Sequence, residues 1–330
     1  MDYSALAGAK IFITGATGLI GRTLVRSLLC RKDVKDPIEV VAWVRNEEKA
    51  HRVFADLPQR HLHWITGDMC DLPCKNIGVD YIVHCAGPTA SKEFVVHPTE
   101  VIMQTVTGAQ KVLEFARKSN VKSMVYLSTM EIYGTPHSDA KIEENCASNL
   151  DTMQVRSSYP ESKRLCENLC VAYAAEYGVP VKVARLTQTF GEGVEYHDAR
   201  LFAELARCVI EHRDIVLHTK GETKRNYLYT GDAAEAILTV LLYGTTGEAY
   251  NVANENTYCS VYELACKVAD TLGKGIKVRV EESENVSDWG YAPVLKMNLS
   301  AQKLSALGFR AQTDLLTAFE KMISDMKANR

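Results

Sequence analysis

Tyr159 and Lys163 stand at i and i+4 in SSYPESKRLCENLCVAYAAEYG (157–178), so on a helix their side chains share one face. An ammonium group beside a phenol favours the phenolate and lowers the tyrosine pKa. Such a pair moves protons near neutral pH, which hydride transfer at an alcohol carbon requires. One helix earlier the chain reads YLSTMEIYG (126–134), where Thr129, Met130 and Glu131 close an apolar run. A carboxylate at that place is either a reacting base or the partner of a nearby cation or of backbone amides. If strand geometry persists through the segment, Thr129 and Glu131 point to one side and Met130 points into the protein. Met130 reads as a gap-filling apolar residue, and His84, in VHCAG, as a packed strand residue.

A second group lies near the start of the chain. Gly15, Gly18 and Gly21 form GxxGxxG between the apolar run KIFIT (10–14) and a helical pattern of Leu19, Ile20, Leu24, Val25, Leu28 and Leu29. In that setting the three glycines serve three mechanical ends, namely a tight turn, close approach to a pyrophosphate, and close helix packing. The helix start adds free N–H groups and a positive dipole end. The candidate cradle is Gly15, Thr17, Gly18, Leu19, Ile20 and Gly21, and its ligand is NAD or NADP. Asp68, in GDMCD, is placed for the adenine ring. Arg45 ends the second strand, where NAD-binding folds usually carry an acid for the ribose hydroxyls. An arginine there suits a 2′-phosphate and tilts the choice toward NADP, unless Arg45 is only a solvated loop residue.

The remaining elements must bring these groups together. Apolar strands at 38–44, 61–66, 79–87, 121–128 and 179–186 alternate with helical patterns, the longest at 99–118. This alternation implies a parallel sheet covered on both faces and joined by right-handed crossovers. Ligands of such sheets bind at the carboxyl ends of the strands. We therefore expect an α/β fold, with a Rossmann-type doubly wound parallel sheet in a dinucleotide-binding domain over 1–187. A smaller mixed α/β substrate domain follows over 188–330, some of whose strands return to the sheet.

With 330 residues the chain exceeds what one core usually absorbs. A net charge of −3 creates no basic field for nucleic acid or anionic lipid. No window approaches the about 18 apolar residues of a membrane span, and MDYSALAGAK lacks the pattern of a secretory signal, so a cytoplasmic protein is expected. The ten cysteines then read as free thiols. His61, His63, Cys70 and Cys74 lack metal-ligand spacing, and no metal is expected.

Taken together, Gly15–Gly21, Thr129–Gly134, Tyr159–Lys163 and RLTQTFG (185–191) resemble the extended short-chain dehydrogenase/reductase family, and within it the nucleotide-sugar epimerases, dehydratases and decarboxylases. The similarity continues through KRNYLYTGD (224–232) and EAYNVAN (248–254). It implies that Tyr159 takes the proton of a sugar hydroxyl while C4 gives up hydride, that Lys163 binds the nicotinamide ribose, and that Thr129 hydrogen-bonds the reacting oxygen. Ala86 and Gly87 would line the nicotinamide side. Arg225 would meet the diphosphate of a nucleotide-diphosphate sugar, with Gln188 in the same pocket where the family usually has Asn. Thr105 and Glu192 also depart from the family pattern, replacing Asn and Pro.

Glu131 keeps the place of a base for the C5 proton, whereas Met130 cannot protonate a leaving C6 hydroxyl. VRSSYPESKR (155–164) is similar to the decarboxylase segment, but YAPVLKMNL (291–299) lacks the Arg-rich run that would hold a sugar carboxylate, leaving Lys296 as its substitute. The resemblance thus implies an NAD(P)-dependent epimerase or dehydratase acting through a 4-keto sugar. The alternatives are a 4-ketoreductase, a UDP-glucuronate-type decarboxylase, and a non-catalytic redox sensor. Relatives that dimerise do so through helices matching 99–118 and 158–177, and a C2 homodimer is expected.

Overall fold

Apolar runs ending in polar or glycine residues build the first half of the chain. The computed structural model describes residues 1–72, 77–282 and 294–330. Its strands β1 (Lys10–Thr14), β2 (Glu39–Val44), β3 (Leu62–Thr66), β4 (Tyr81–His84), β5 (Ser123–Thr129) and β6 (Val181–Leu186) alternate with helices α1 (Leu19–Leu29), α2 (Glu47–Val53), α3 (Glu93–Val96), α4 (Pro98–Ser119) and α5 (Ser158–Tyr177). There follow β7 (Gln188–Phe190), α6 (Leu201–Glu211), β8 (Ile215–Leu217), β9 (Lys224–Tyr229), α7 (Thr230–Tyr243), β10 (Ala249–Val252), β11 (Asn254–Ser260), α8 (Val261–Leu272), β12 (Val278–Val280), β13 (Lys296–Met297), α9 (Gln302–Ala306) and α10 (Leu315–Ala328).

A seven-stranded sheet runs in the order β10-β6-β5-β4-β1-β2-β3, and its pairings are parallel. The strand order reverses beside β1, so the crevice between the carboxyl ends of β1 and β4 is the expected ligand position. In register, Thr14 faces His84 and Thr129 faces Leu186, which lines the strand ends along one edge. β9 sits between β11 and β13 in a second sheet and also pairs with β7, while β8 and β12 form a separate pair. β10 returns to the main sheet beside β6, after the chain has built β7 to β9 elsewhere. α7 packs its Ile237, Leu238 and Leu241 into the same core as β1 and β2. A second core gathers Phe190, Phe202, Leu264 and Phe319, and Leu19 at the start of α1 packs against it.

His84 is buried at the end of β4. The Ala86 N–H donates to Thr14 Oγ1 at 3.3 Å, and Thr14 Oγ1 lies 2.7 Å from His84 Nδ1, donating or accepting according to the imidazole tautomer. Burial, helped by the Lys163 charge, pushes the His84 pKa down to about 3. The folded protein therefore resists a proton that the unfolded chain accepts below about pH 6.5. Stability from this group is complete above that pH and falls as the pH drops toward 3, by about 1.4 kcal/mol per unit. His84→Asn should flatten the acid limb of the urea-unfolding free energy by close to one proton in that window. An unchanged slope would show that the imidazole takes up its proton in the native state.

Candidate active site

The glycine turn is closed by backbone packing. Gly15 adopts φ +64°, and a Cβ there would lie 2.7 Å from the Ala86 backbone nitrogen. A Cβ on Gly21 would overlap the Gly15 carbonyl. Only glycine lets α1 begin this close to β1 and to the residues after β4. Gly18 is the N-cap of α1 and provides no side-chain cap, so the first-turn N–H groups of α1 are left to a ligand. A cradle that any Cβ would fill, opening on uncapped N–H groups, fits a dinucleotide pyrophosphate. Thr17 is half-buried, and Ile20 packs on the main core.

Lys163 approaches the same crevice from α5. Its Nζ donates to the Leu127 carbonyl at 2.8 Å, lies over the Tyr126 ring, and would be 3.8 Å from a Cβ on Gly87. Lys163, Ala86 and Gly87 are thus brought together beside Gly15. Arg45 is exposed at the end of β2 and has no ion-pair partner among the described residues. Asp68 is also exposed, and its carboxylate accepts from the Cys70 N–H at 2.9 Å, capping its own turn.

The expected strand geometry at Glu131 is corrected. β5 stops at Thr129, and Met130–Tyr133 form a 3-10 turn in which the Glu131 N–H donates to Thr129 Oγ1 at 3.3 Å. A short polar N-cap hydroxyl captures the next free N–H and starts a helical turn where the sequence reads as strand. Met130 still points inward, packed with Ile132, Tyr133, Met297 and Leu299. Glu131 turns to Arg156, whose Nη2 donates to its carboxylate at 2.8 Å. The Arg156 guanidinium lies 4.8 Å above the Phe94 ring. Phe94 stacks on Tyr159, with centroids 4.2 Å apart and planes 4° from parallel.

The expected lowering of the Tyr159 pKa is also reversed. Burial pushes the phenol up and the Glu131 charge adds to this, while a Thr129 hydrogen bond and Arg156 act the other way. Lys163 is itself pushed down by burial. The i, i+4 spacing places both side chains on one face, but burial is the largest influence on each. Thr129, Glu131 and Tyr159 nevertheless converge at one strand end.

Gln188 and Arg225 meet across β7 and β9, where Arg225 Nη1 donates to Gln188 Oε1 at 3.4 Å. Arg225 Nε is buried with no partner among the described residues, as a group awaiting a ligand would be. Thr105 donates to the Val101 carbonyl inside α4, and Glu192 accepts from the Tyr229 hydroxyl. Lys296 is committed to Asp139 at 2.6 Å. Residues 291–293 of YAPVLKMNL and Cys74 lie outside the described residues. His61 and His63 both bind Glu39.

Sequence reasoning missed several groups. Arg156 and Phe94 were not singled out, although Arg156 lies three residues before Tyr159 on the same helical start. It also missed the loop after β7, where Lys49 pairs with Glu195 at 3.0 Å and the Gly193 N–H donates to Asp325 at 2.8 Å. A Cβ on Gly193 would lie 2.7 Å from Arg22 Nε, so this loop rests against the starts of α1 and α2.

Residues 11–253 match the model of the NAD-dependent epimerase/dehydratase family. The UDP-glucuronic acid decarboxylase 1 of Xenopus tropicalis is 25% identical over 272 residues, covering 81% of this chain, which spans 61% of that relative's length. In solved structures, the UDP-glucose 4-epimerase of Thermotoga maritima matches with a TM-score of 0.82 at 19% identity, covering 97% of this chain and 99% of that one. A dTDP-glucose 4,6-dehydratase from Streptomyces venezuelae, solved with NAD bound, gives 0.79 at 24% identity and covers 97% and 98%. Both likenesses describe the fold.

Arg45 offers a direct test of cofactor choice. A free guanidinium at the end of β2 should make NADPH bind more tightly than NADH, and Arg45→Asp should narrow or reverse that order in a fluorescence titration. Equal affinities in both proteins would leave Arg45 a surface residue.

Proposed function

The chain belongs to the NAD-dependent epimerase/dehydratase family, and from that premise we propose an enzyme that transiently oxidises a nucleotide-diphosphate sugar at C4 and then acts at C5. The observation that carries this reading is the convergence of Thr129, Glu131 and Tyr159 at the end of β5, with Lys163 and Gly87 alongside. When bound, the cofactor supplies an acceptor for the C4 hydride and a donor for its return. Tyr159 takes the proton of the C4 hydroxyl, and Thr129 holds that oxygen in line. Lys163 fixes the ribose on the Gly87 side. Glu131 exchanges the C5 proton, which a neighbouring ketone makes acidic. Arg225 and Gln188 hold the diphosphate, a role suited to a guanidinium with an unused donor.

Met130 narrows the outcome. Its side chain is buried in an apolar cluster, so it offers no acid to a departing C6 hydroxyl. That supports epimerisation over loss of water. Decarboxylation is a second reading that the same observation favours, because a 4-ketone lies β to a C6 carboxylate and carbon dioxide leaves without an acid. The free described cysteines support a reducing, cytoplasmic setting. No helix among the described residues is long and apolar enough to cross a membrane. α4 and α5 expose Ile102, Met103, Leu165, Val171 and Tyr177, which supports a C2 dimer through these helices.

Tyr159→Phe removes only the proton-transfer hydroxyl. It should keep the fold and cofactor binding and lose roughly 10²- to 10⁴-fold in turnover. Activity within a few-fold of the parent would overturn the assignment. Incubation with UDP-glucose, UDP-glucuronic acid and dTDP-glucose, read by mass spectrometry, separates an unchanged mass from loss of water or of carbon dioxide. Oxidation of none of the three would count against the nucleotide-sugar reading. In light scattering at micromolar concentration the protein should have twice the chain mass, and a monomer would remove the proposed interface.

A further inference from the structure

We propose that Arg156 is a positioning residue that sets both reacting side chains, orienting the Glu131 carboxylate directly and the Tyr159 ring through Phe94. This rests on the reading of Glu131 as the C5 base. A 3-10 turn over Val155–Ser157 delivers Arg156 three residues before Tyr159, so both contact Phe94 from one helix start. Phe94 is fully buried and Tyr159 nearly so, which leaves the stack little freedom. The guanidinium makes two contacts at once, its carbon over the Phe94 ring and its Nη2 donating to Glu131. Its Nε is buried with no partner among the described residues. That donor adjoins Nη2 on the same edge of the fork, the edge suited to a bidentate grip on a carboxylate. Only arginine offers a planar face and a two-donor edge at once.

The pairing also protects the proton-transfer group. A carboxylate released from Arg156 is free to turn toward the buried Tyr159 hydroxyl, which must stay available to the substrate. Arg156 therefore acts through Glu131 and Tyr159, without a reacting role of its own.

The test uses the cofactor-loaded protein in deuterated water, with whichever of UDP-glucose, UDP-glucuronic acid or dTDP-glucose it oxidises. Two quantities are read, namely deuterium at C5, by mass spectrometry and NMR, and the single-turnover rate of nicotinamide reduction. Glu131→Gln should abolish most C5 label while reduction persists. Arg156→Gln should lower C5 labelling roughly 10- to 100-fold, the worth of one charge-assisted hydrogen bond, and slow reduction less. Counted per sugar oxidised, the double variant should be no worse at C5 than Glu131→Gln alone, because at the C5 step both changes break one path. Arg156→Lys keeps the charge without the planar fork and should recover only part of the loss; it also serves if Arg156→Gln does not fold. Thermal unfolding and NAD affinity should match the parent in each variant.

Wild-type labelling in Arg156→Gln, or losses that multiply in the double variant, would overturn the proposal while leaving the Glu131 base intact. Equal loss of labelling and reduction would also overturn it, since a merely structural defect has that signature. A parent protein that oxidises sugar without C5 label would remove the base itself, and the proposal with it.

Discussion

A buried carboxylate–guanidinium fork holds the site from below. Glu167 lies on α5 one turn beyond Lys163 and receives Arg185 from β6, with Nη2 at 2.7 Å and Nε at 3.1 Å. Ser128, the residue before Thr129, also donates to Glu167. Arg185 reaches past the pair to the Tyr133 hydroxyl at 2.7 Å and the Glu144 carbonyl at 2.8 Å, and Tyr133 donates to Asn251 on β10. One cluster therefore ties α5, β5, β6, β10 and the turn that carries Glu131. Burying two charges costs more than an isolated pair returns, so such a pair persists only when nearly every donor and acceptor is used. Here they are used across elements that meet at the site. α5 cannot slide along β5 without stranding a buried charge, and this fixes Tyr159 and Lys163 against Thr129.

That constraint explains what could be read from the sequence. Local signals were legible: the GxxGxxG turn, the alternation of strands and helices, and Tyr159 with Lys163 on one face. Each depends on residues within about two helical turns of one another, where periodicity and backbone sterics dominate. The illegible parts depend on distant partners. That some strand of the second half returns to the sheet was expected; that it is β10 depends on the open parallel edge of β6, which nothing in AYNV names. Phe94 meets Tyr159 from a four-residue helix whose sequence, EFVV, reads equally well as strand. The conditional extension of strand geometry past Thr129 fails for a local reason. The Thr129 hydroxyl offers the backbone an alternative to continued extension, and a run of apolar and aromatic residues conceals it.

The candidate reactive residues show why spacing could not give their ionisation. An i, i+4 lysine and tyrosine share a face, but how strongly they couple depends on where the ammonium is directed. In the structure Lys163 is drawn to the Leu127 carbonyl and the Tyr126 ring. Tyr159 is left with burial and a flanking carboxylate, both of which favour its protonated form, against one hydroxyl and one guanidinium. Burial is the largest of these influences on the unliganded phenol. On the proposed function, a ligand bound beside Lys163 and Gly87 would supply the charge that favours the phenolate. An unliganded site that keeps its phenol protonated transfers no proton without substrate. On the proposed mechanism the Arg156 pairing keeps the Glu131 carboxylate engaged until a 4-ketone has made the C5 proton acidic.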